Sequence, residues 1–261
     1  MKIGFIGLGN MGAALAQAVS QQADTQLLLS NHNPVKAHAL QEKVGGQLFS
    51  NGEIAEQAEV IFLGVKPHLI QSVLSGLQDQ ISQNPSAIWI SMAAGVTLNS
   101  LEEFVSADKL IRIMPNTPVA IGQGMTTYSV VNQELAPLLE QILEKTGKVQ
   151  QVPEKLIDAA TAIAGCGPAF VYQMIEALTD AGVQNGLTAE DAKILSAQTL
   201  AGTAQMVLYS DKHPAQLRQE VTSRGGSTIA GVVALEKEGF RHAVIKAVAA
   251  ALIKPRQLGK T

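Results

Sequence analysis

Over the first 152 residues, short apolar runs alternate with longer polar stretches of helical character. "KIGFIG", "TQLLLS", "GQLFS", "AEVIFLGV", "AIWISM" and "KLIRIM" read as buried strands. A helix over about Met11–Ser20 follows the first, and a helix opened by Pro34 and reaching about Val44 follows the second. Such alternation predicts βαβ units and a parallel sheet covered on both faces. "GMTTYSVV", "NQELAPLLEQILEKTG" and "KVQQV" add a closing strand, helix and strand. From Pro153 the strand signals stop. Segments 154–164, 168–184, 188–210, 213–221, 228–238 and 240–254 all suit helices, punctuated by Gly165, Gly167, Gly186, Pro214 and Gly239. The expected fold is therefore α/β: a doubly wound, mainly parallel sheet in 1–152, then an all-α domain in 153–261.

Between Ala192 and Ser210 the only charged residue is Lys193. A helix that is small and apolar nearly all round has to be buried. A domain of about a hundred residues can hardly bury one that long alone, which predicts a partner subunit. Composition agrees: charged residues are 16% of the 261, against about 25% in ordinary soluble domains. A net charge of −3 leaves no electrostatic footprint for nucleic acid. No apolar run approaches the ~20 residues of a membrane span. The opening "MKIGFIGLGNMG" is a short apolar run broken by glycines rather than a signal-peptide core. A single Cys166 excludes an internal disulfide and suits the cytoplasm. The five histidines show no metal-ligand spacing, and His213 and His242 are expected at the surface or in caps.

"GLGNMG" follows a strand and opens a helix, the context that a dinucleotide-binding Rossmann-type domain requires. Gly7 allows the tight turn, Gly9 lets a pyrophosphate reach the backbone, and Gly12 lets helix and strand pack closely. Leu8, Asn10 and Met11 complete the expected contact loop. At the end of the second strand an NAD site wants an acid for the ribose 2′-hydroxyl. Here Ser30, Asn31, His32 and Asn33 take its place, with Lys36 close by. NADPH is the expected cofactor, with NADH possible. Three more loops follow strand ends, where open α/β sheets bind ligands: Val65–Lys66–Pro67, Ala93–Ala94–Gly95 and Met114–Pro118. Asn116 in the last either orients a nicotinamide carboxamide or caps the turn. Asn51 joins the expected cofactor set.

Late in the chain "VTSRGGSTIAG" interrupts the helices. The paired glycines Gly225 and Gly226 are poor helix formers, and small hydroxyl residues beside them precede a resumed apolar pattern at Ile229. Such a stretch is either an ordinary N-cap or an anion site built on free helix amides.

Together "IGFIGLGNMG", "VKP", "AAGV", "RIMPNTP", "AGCGPAF" and "VTSRGGSTIAGVVALE" resemble the pyrroline-5-carboxylate reductase family over essentially the whole chain. The resemblance implies reduction of a cyclic imine carboxylate to L-proline with NAD(P)H, and an intertwined homodimer or larger homo-oligomer. It also implies a substrate carboxylate held by Ser223, Gly225, Gly226 and Ser227, with Thr228 beside the ring nitrogen as the one catalytic residue and Glu154 near the substrate. No metal is implied. Arg224 stands where proline is common, and Asn31 where a basic residue is. The β-hydroxyacid dehydrogenases pair similar domains, but the places of their catalytic lysine and asparagine hold Val171 and Ile175. A non-enzymatic NADP(H) sensor would not need an intact "SRGGST".

Overall fold

The computed structural model describes residues 1–258. Eight strands form one sheet: β1 Lys2–Ile6, β2 Gln26–Ser30, β3 Gln47–Leu48, β4 Val60–Leu63, β5 Ile88–Ser91, β6 Leu110–Met114, β7 Gly124–Val130 and β8 Gly147–Gln151. Their spatial order is β3-β2-β1-β4-β5-β6-β7-β8. The first six run parallel, β7 is antiparallel to β6, and β8 is parallel to β7. The chain winds outward from β1 to β3, then returns to the other side of β1 with β4. A doubly wound sheet has its ligand crevice at such a reversal.

Alternate residues of each strand feed two cores, one per face. Ile3, Phe5, Phe62, Ile90, Ile111 and Ile113 build one with α1 (Asn10–Val19) and α7 (Ala136–Ile142). Ile6, Leu28, Ile61, Leu63, Trp89 and Leu110 build the other with α3 (Asn51–Gln57), α4 (Ile70–Ser75), α5 (Gln78–Gln83) and α6 (Leu98–Leu101). The Phe5 and Phe62 rings stack at 4.7 Å between β1 and β4. Strands buried on both faces explain why their sequences read as continuous apolar runs.

Internal contacts group Met1–Cys166 and the stretch from Ala251 as one unit, and Gly167–Ala250 as a second. This grouping by contacts keeps 153–166, just beyond the expected boundary at 152/153, with the sheet. Strand character does end at β8, but the next segment remains with the sheet. It comprises a turn at Glu154–Leu156, α8 (Ile157–Ala160) and a wide π-type turn over Thr161–Gly165. Ile157 and Ala162 are buried, and Arg112 reaches Glu154 and Asp158 across the sheet. Apolar pattern identifies a helix without saying which body buries it.

The second unit is helical: α9 Gly167–Gln184, α10 Ala189–Tyr209, α11 Pro214–Glu220, α12 Ser227–Lys237 and the start of α13, Phe240–Leu258. α9 and α10 pack as a hairpin in which Gly182 stands against Ala192; a Cβ at Gly182 would lie 2.8 Å from that of Ala192. α10 is long and apolar, as the pattern predicts, yet the single chain buries only Ala192 and Ser196 of it. Ile194, Leu195, Met206, Leu208 and Tyr209 are more than half exposed. His213 caps α11, its Nδ1 accepting from the Ala215 amide.

Candidate active site

The loops beyond β1, β4, β5 and β6 share one edge of the sheet, because these strands are parallel and in register from Ile6 through Leu63 to Ser91. At the reversal between β1 and β4, three glycines let backbones meet. Gly7 has φ +97°, and a Cβ there would lie 2.7 Å from the Gly64 carbonyl carbon and the Val65 nitrogen. A Cβ on Gly12 or on Gly64 would strike the Gly7 carbonyl oxygen. Gly9 differs: a Cβ there would meet nothing within 4 Å. The three glycines of the motif thus divide as the motif logic requires, two for packing and one for open approach.

Gly9 is also the N-cap of α1, with no side-chain cap and no acid in the first turn. Its first amides therefore remain available for an anion. Several other helices are closed by side chains. Asn33 caps α2 (Pro34–Val44), a capping box of Ser50 and Glu53 closes α3, and Thr188 caps α10 above Glu190 and Asp191. α12 repeats the open arrangement of α1: its N-cap is Gly226, without side-chain cap or first-turn acid. Gly225 precedes it at φ +67°, and Gly226 N–H donates to the Ser223 carbonyl. Ser223, Ser227 and Thr228 are exposed around this start. In the first unit an open helix start meets the edge formed by the loops beyond β1, β4, β5 and β6, and in the second another lies within the hydroxyl-rich stretch.

The end of β2 is polar and uncharged. Asn31 Oδ1 accepts from the Leu8 amide at 3.0 Å, and its Nδ2 donates to the Asn33 carbonyl. Ser30 Oγ donates to Asn51 Oδ1 at 2.6 Å, which ties β2 to the start of α3. No carboxylate stands there to repel a phosphate. Lys66, at the start of a short 3-10 turn after β4, is exposed, while Ala93 is buried and Gly95 turns at φ +79°. Asn116 is buried beyond the end of β6, with Nδ2 donating to the Ala164 carbonyl and Oδ1 accepting from the Met125 amide, both at 2.9 Å.

Glu154, which the resemblance implies near the substrate, makes its side-chain bonds within the first unit. Its Oε1 accepts from Arg112 Nη1 at 3.2 Å and from the Leu98 amide at 2.7 Å. It joins β6 to the start of α6, level with the middle of the strand rather than its carboxyl end. Within the first unit the residue is a framework contact, and its geometry lends nothing to the expectation of substrate contact. Sequence reading missed Arg112 and Asp158. A lone arginine inside "KLIRIM" was the available signal, since a buried guanidinium needs carboxylate partners. No cluster of potential metal ligands occurs among the described residues, and none of their helices is long and apolar enough to cross a membrane.

A family model described as "Pyrroline-5-carboxylate reductase dimerisation" matches residues 154–258, and one described as "NADP oxidoreductase coenzyme F420-dependent" matches 2–95. A pyrroline-5-carboxylate reductase of Pisum sativum is 37% identical, covering 98% of this chain and 95% of its own. The structure of a pyrroline-5-carboxylate reductase from Coxiella burnetii superposes with a TM-score of 0.89 at 35% identity, over 99% of this chain and 98% of its own. That of the Plasmodium falciparum pyrroline carboxylate reductase with NADP bound gives 0.85 at 35% identity over the same shares.

Proposed function

The chain belongs to the pyrroline-5-carboxylate reductase family, and from that premise we propose that it reduces 1-pyrroline-5-carboxylate to L-proline using NADPH. The observation that carries the proposal is the pair of open helix starts. Both α1 and α12 begin at a glycine with neither side-chain cap nor first-turn acid, an arrangement suited to one anion each. The α1 start, with open space over Gly9, fits the pyrophosphate of a dinucleotide. Around it, Leu8, Asn10, Met11, Asn31, Asn51 and the loops at Val65–Pro67 and Ala93–Gly95 border the rest of the cofactor. The neutral, hydrogen-bonded end of β2 fits a 2′-phosphate better than an acid would.

The α12 start fits the substrate carboxylate, with Ser223, Gly225, Gly226 and Ser227 around it. When bound, the reduced nicotinamide supplies the hydride. The substrate's C=N bond accepts it at carbon, and the π pair passes to nitrogen. An imine arriving as its iminium already carries the proton that nitrogen needs. For the neutral imine, the Thr228 hydroxyl donates a hydrogen bond to the ring nitrogen, relays the proton and is replenished from water. Fixing the imine by its carboxylate is itself a large part of the rate. The exposed apolar face of α10 fits burial against a second copy, and hence a homodimer or a larger homo-oligomer. A lone, half-buried cysteine suits the cytoplasm, which cell fractionation would check. The deciding experiment mixes purified protein, NADPH and pyrroline-5-carboxylate. Substrate-dependent NADPH oxidation with matching proline supports the reading, and its absence refutes it.

A further inference from the structure

The sequence allows Asn116 either to orient a nicotinamide carboxamide or to cap its turn, and in the structure its polar atoms are bound to the protein on both sides. The orientation of its amide is not arbitrary: a carbonyl such as that of Ala164 can only accept, and the Met125 amide can only donate. Nδ2 must therefore face Ala164, and Oδ1 must face Met125. The two partners belong to different elements. Met125 lies on β7, whereas Ala164 lies in the wide turn Thr161–Gly165, where Cys166 N–H donates to the Thr161 carbonyl five residues back. A π-type turn widens the helix and releases a carbonyl from ordinary pairing, and such turns concentrate at functional sites. Here the Ala164 carbonyl is taken up by a buried side chain from beyond β6.

The face of β6 and β7 beneath this segment is polar. Arg112 and Ser129 pair across the strands, and Thr127 follows on the same face. Ser129 Oγ donates to the Val152 carbonyl, and Arg112 holds Glu154 and Asp158. Directional bonds therefore fix the segment at both ends. The Arg112 end is level with mid-strand, and the Asn116 end is at the edge that carries the dinucleotide loops. Two residues after Ala164 the chain passes into the second unit.

We propose that Asn116 is a positioning residue for the reduction: it acts through the Thr161–Gly165 turn, holding that backbone at the β6 end of the dinucleotide edge. The proposal rests on the reading of the chain as a pyrroline-5-carboxylate reductase. The pyrophosphate grip is at Gly9 and α1, across β4 and β5 from Asn116. Loosening the clamp therefore lowers kcat while leaving NADPH binding nearly unchanged.

The test is Asn116→Asp, which keeps shape but replaces the donor with an oxygen. Ionised, the new carboxylate opposes the Ala164 carbonyl. Protonated, it donates to it and restores the clamp. Burial beside a carbonyl raises its pKa above the ordinary ~3.9. At pH 8 the kcat of Asn116→Asp should fall roughly tenfold or more, the worth of one lost hydrogen bond beside a repelling charge. The ratio to the unsubstituted enzyme should then recover as pH falls toward 6. Independently of turnover, amide hydrogen exchange of peptides spanning 161–170, measured without ligands, should be faster than in the unsubstituted protein at pH 8 and converge with it at pH 6. A ratio flat with pH, or unchanged exchange in 161–170, overturns the inference. Should Asn116→Asp not fold, Asn116→Ser, too short to reach Ala164, must show the lower kcat and faster exchange at every pH; unchanged values overturn it equally. An unsubstituted protein without activity on pyrroline-5-carboxylate refutes the functional reading itself and this role with it. Activity combined with an indifferent variant refutes only the role.

Discussion

Gly9 and Gly12 stand three residues apart in one motif, and alanine at each should fail in opposite ways. A methyl at Gly12 would strike the Gly7 carbonyl oxygen, with Gly64 Cα 3.9 Å away. Both neighbours are backbone in a tight turn and cannot swing aside. Overpacking of this kind costs about 1–3 kcal/mol, or roughly 3–10 °C in Tm for a chain of this size. A methyl at Gly9 meets nothing within 4 Å, and the residue has φ −68°, where any L-residue is comfortable. Replacing glycine at an N-cap loses up to ~1 kcal/mol, and reduced freedom of the unfolded chain returns about 0.4–1 kcal/mol. The net effect on Tm should stay within about 2 °C. Binding is another matter, because the methyl occupies the approach to the open amides of α1. Losing one charge-assisted contact to phosphate costs roughly 1.5–3 kcal/mol, a rise in the NADPH Kd of about 10–150-fold. Thermal unfolding of the unliganded proteins and fluorescence titration with NADPH separate the two effects. If Gly9→Ala binds NADPH within about threefold of the unsubstituted protein, or unfolds as early as Gly12→Ala, the division of labour among these glycines is wrong.

Thr228→Ala should lower kcat by roughly 10–100-fold, the worth of one hydrogen bond to a reacting nitrogen, with the NADPH Kd nearly unchanged; an unaltered turnover number removes Thr228 from the mechanism. The neutral end of β2 predicts a clearly higher kcat/KM with NADPH than with NADH, and steady-state kinetics giving equal or reversed values would discard that reading. Burial, and then the hydrogen bond its hydroxyl donates to Glu140, raise the pKa of Tyr128 above its ordinary 10.0. The unfolded chain therefore releases this proton first as pH climbs past 10, and stability present below that point drains away above it. Urea unfolding of Tyr128→Phe should show a shallower alkaline decline than the unsubstituted protein, and parallel curves would contradict the assignment.

Most of the fold was legible because parallel strands buried on both faces and helices punctuated by Gly and Pro are local signals. "KIGFIG" and "KLIRIM" announce β1 and β6 whatever surrounds them. α10 announced its need for a partner through its composition alone. What was not legible is pairing at a distance. Glu154 opens a helix in sequence, but its work depends on Arg112, 42 positions earlier, and on the Leu98 amide. Nothing local distinguishes a carboxylate facing a ligand from one facing a buried guanidinium. The widened turn at Thr161–Gly165 was equally silent, for "AGCG" describes a close approach as readily as a π-type register.

The same limit explains why the open helix starts were only half legible. Sequence places Ser223, Ser227 and Thr228 beside α12, and any of the three could have served as an N-cap, as Asn33 does for α2 and Thr188 for α10. The choice is made by backbone geometry. With Gly225 at φ +67° and the Gly226 amide bonded to the Ser223 carbonyl, the residue entering the cap position is Gly226, which has no side chain to offer. A serine at that position would supply an oxygen to the first-turn amides and gain roughly a few tenths of a kcal/mol of helix stability, and it would collide with Ser223 Oγ. Glycine thus gives up a cap the neighbouring hydroxyls could have made, and the first-turn amides of α12 are left without a side-chain cap.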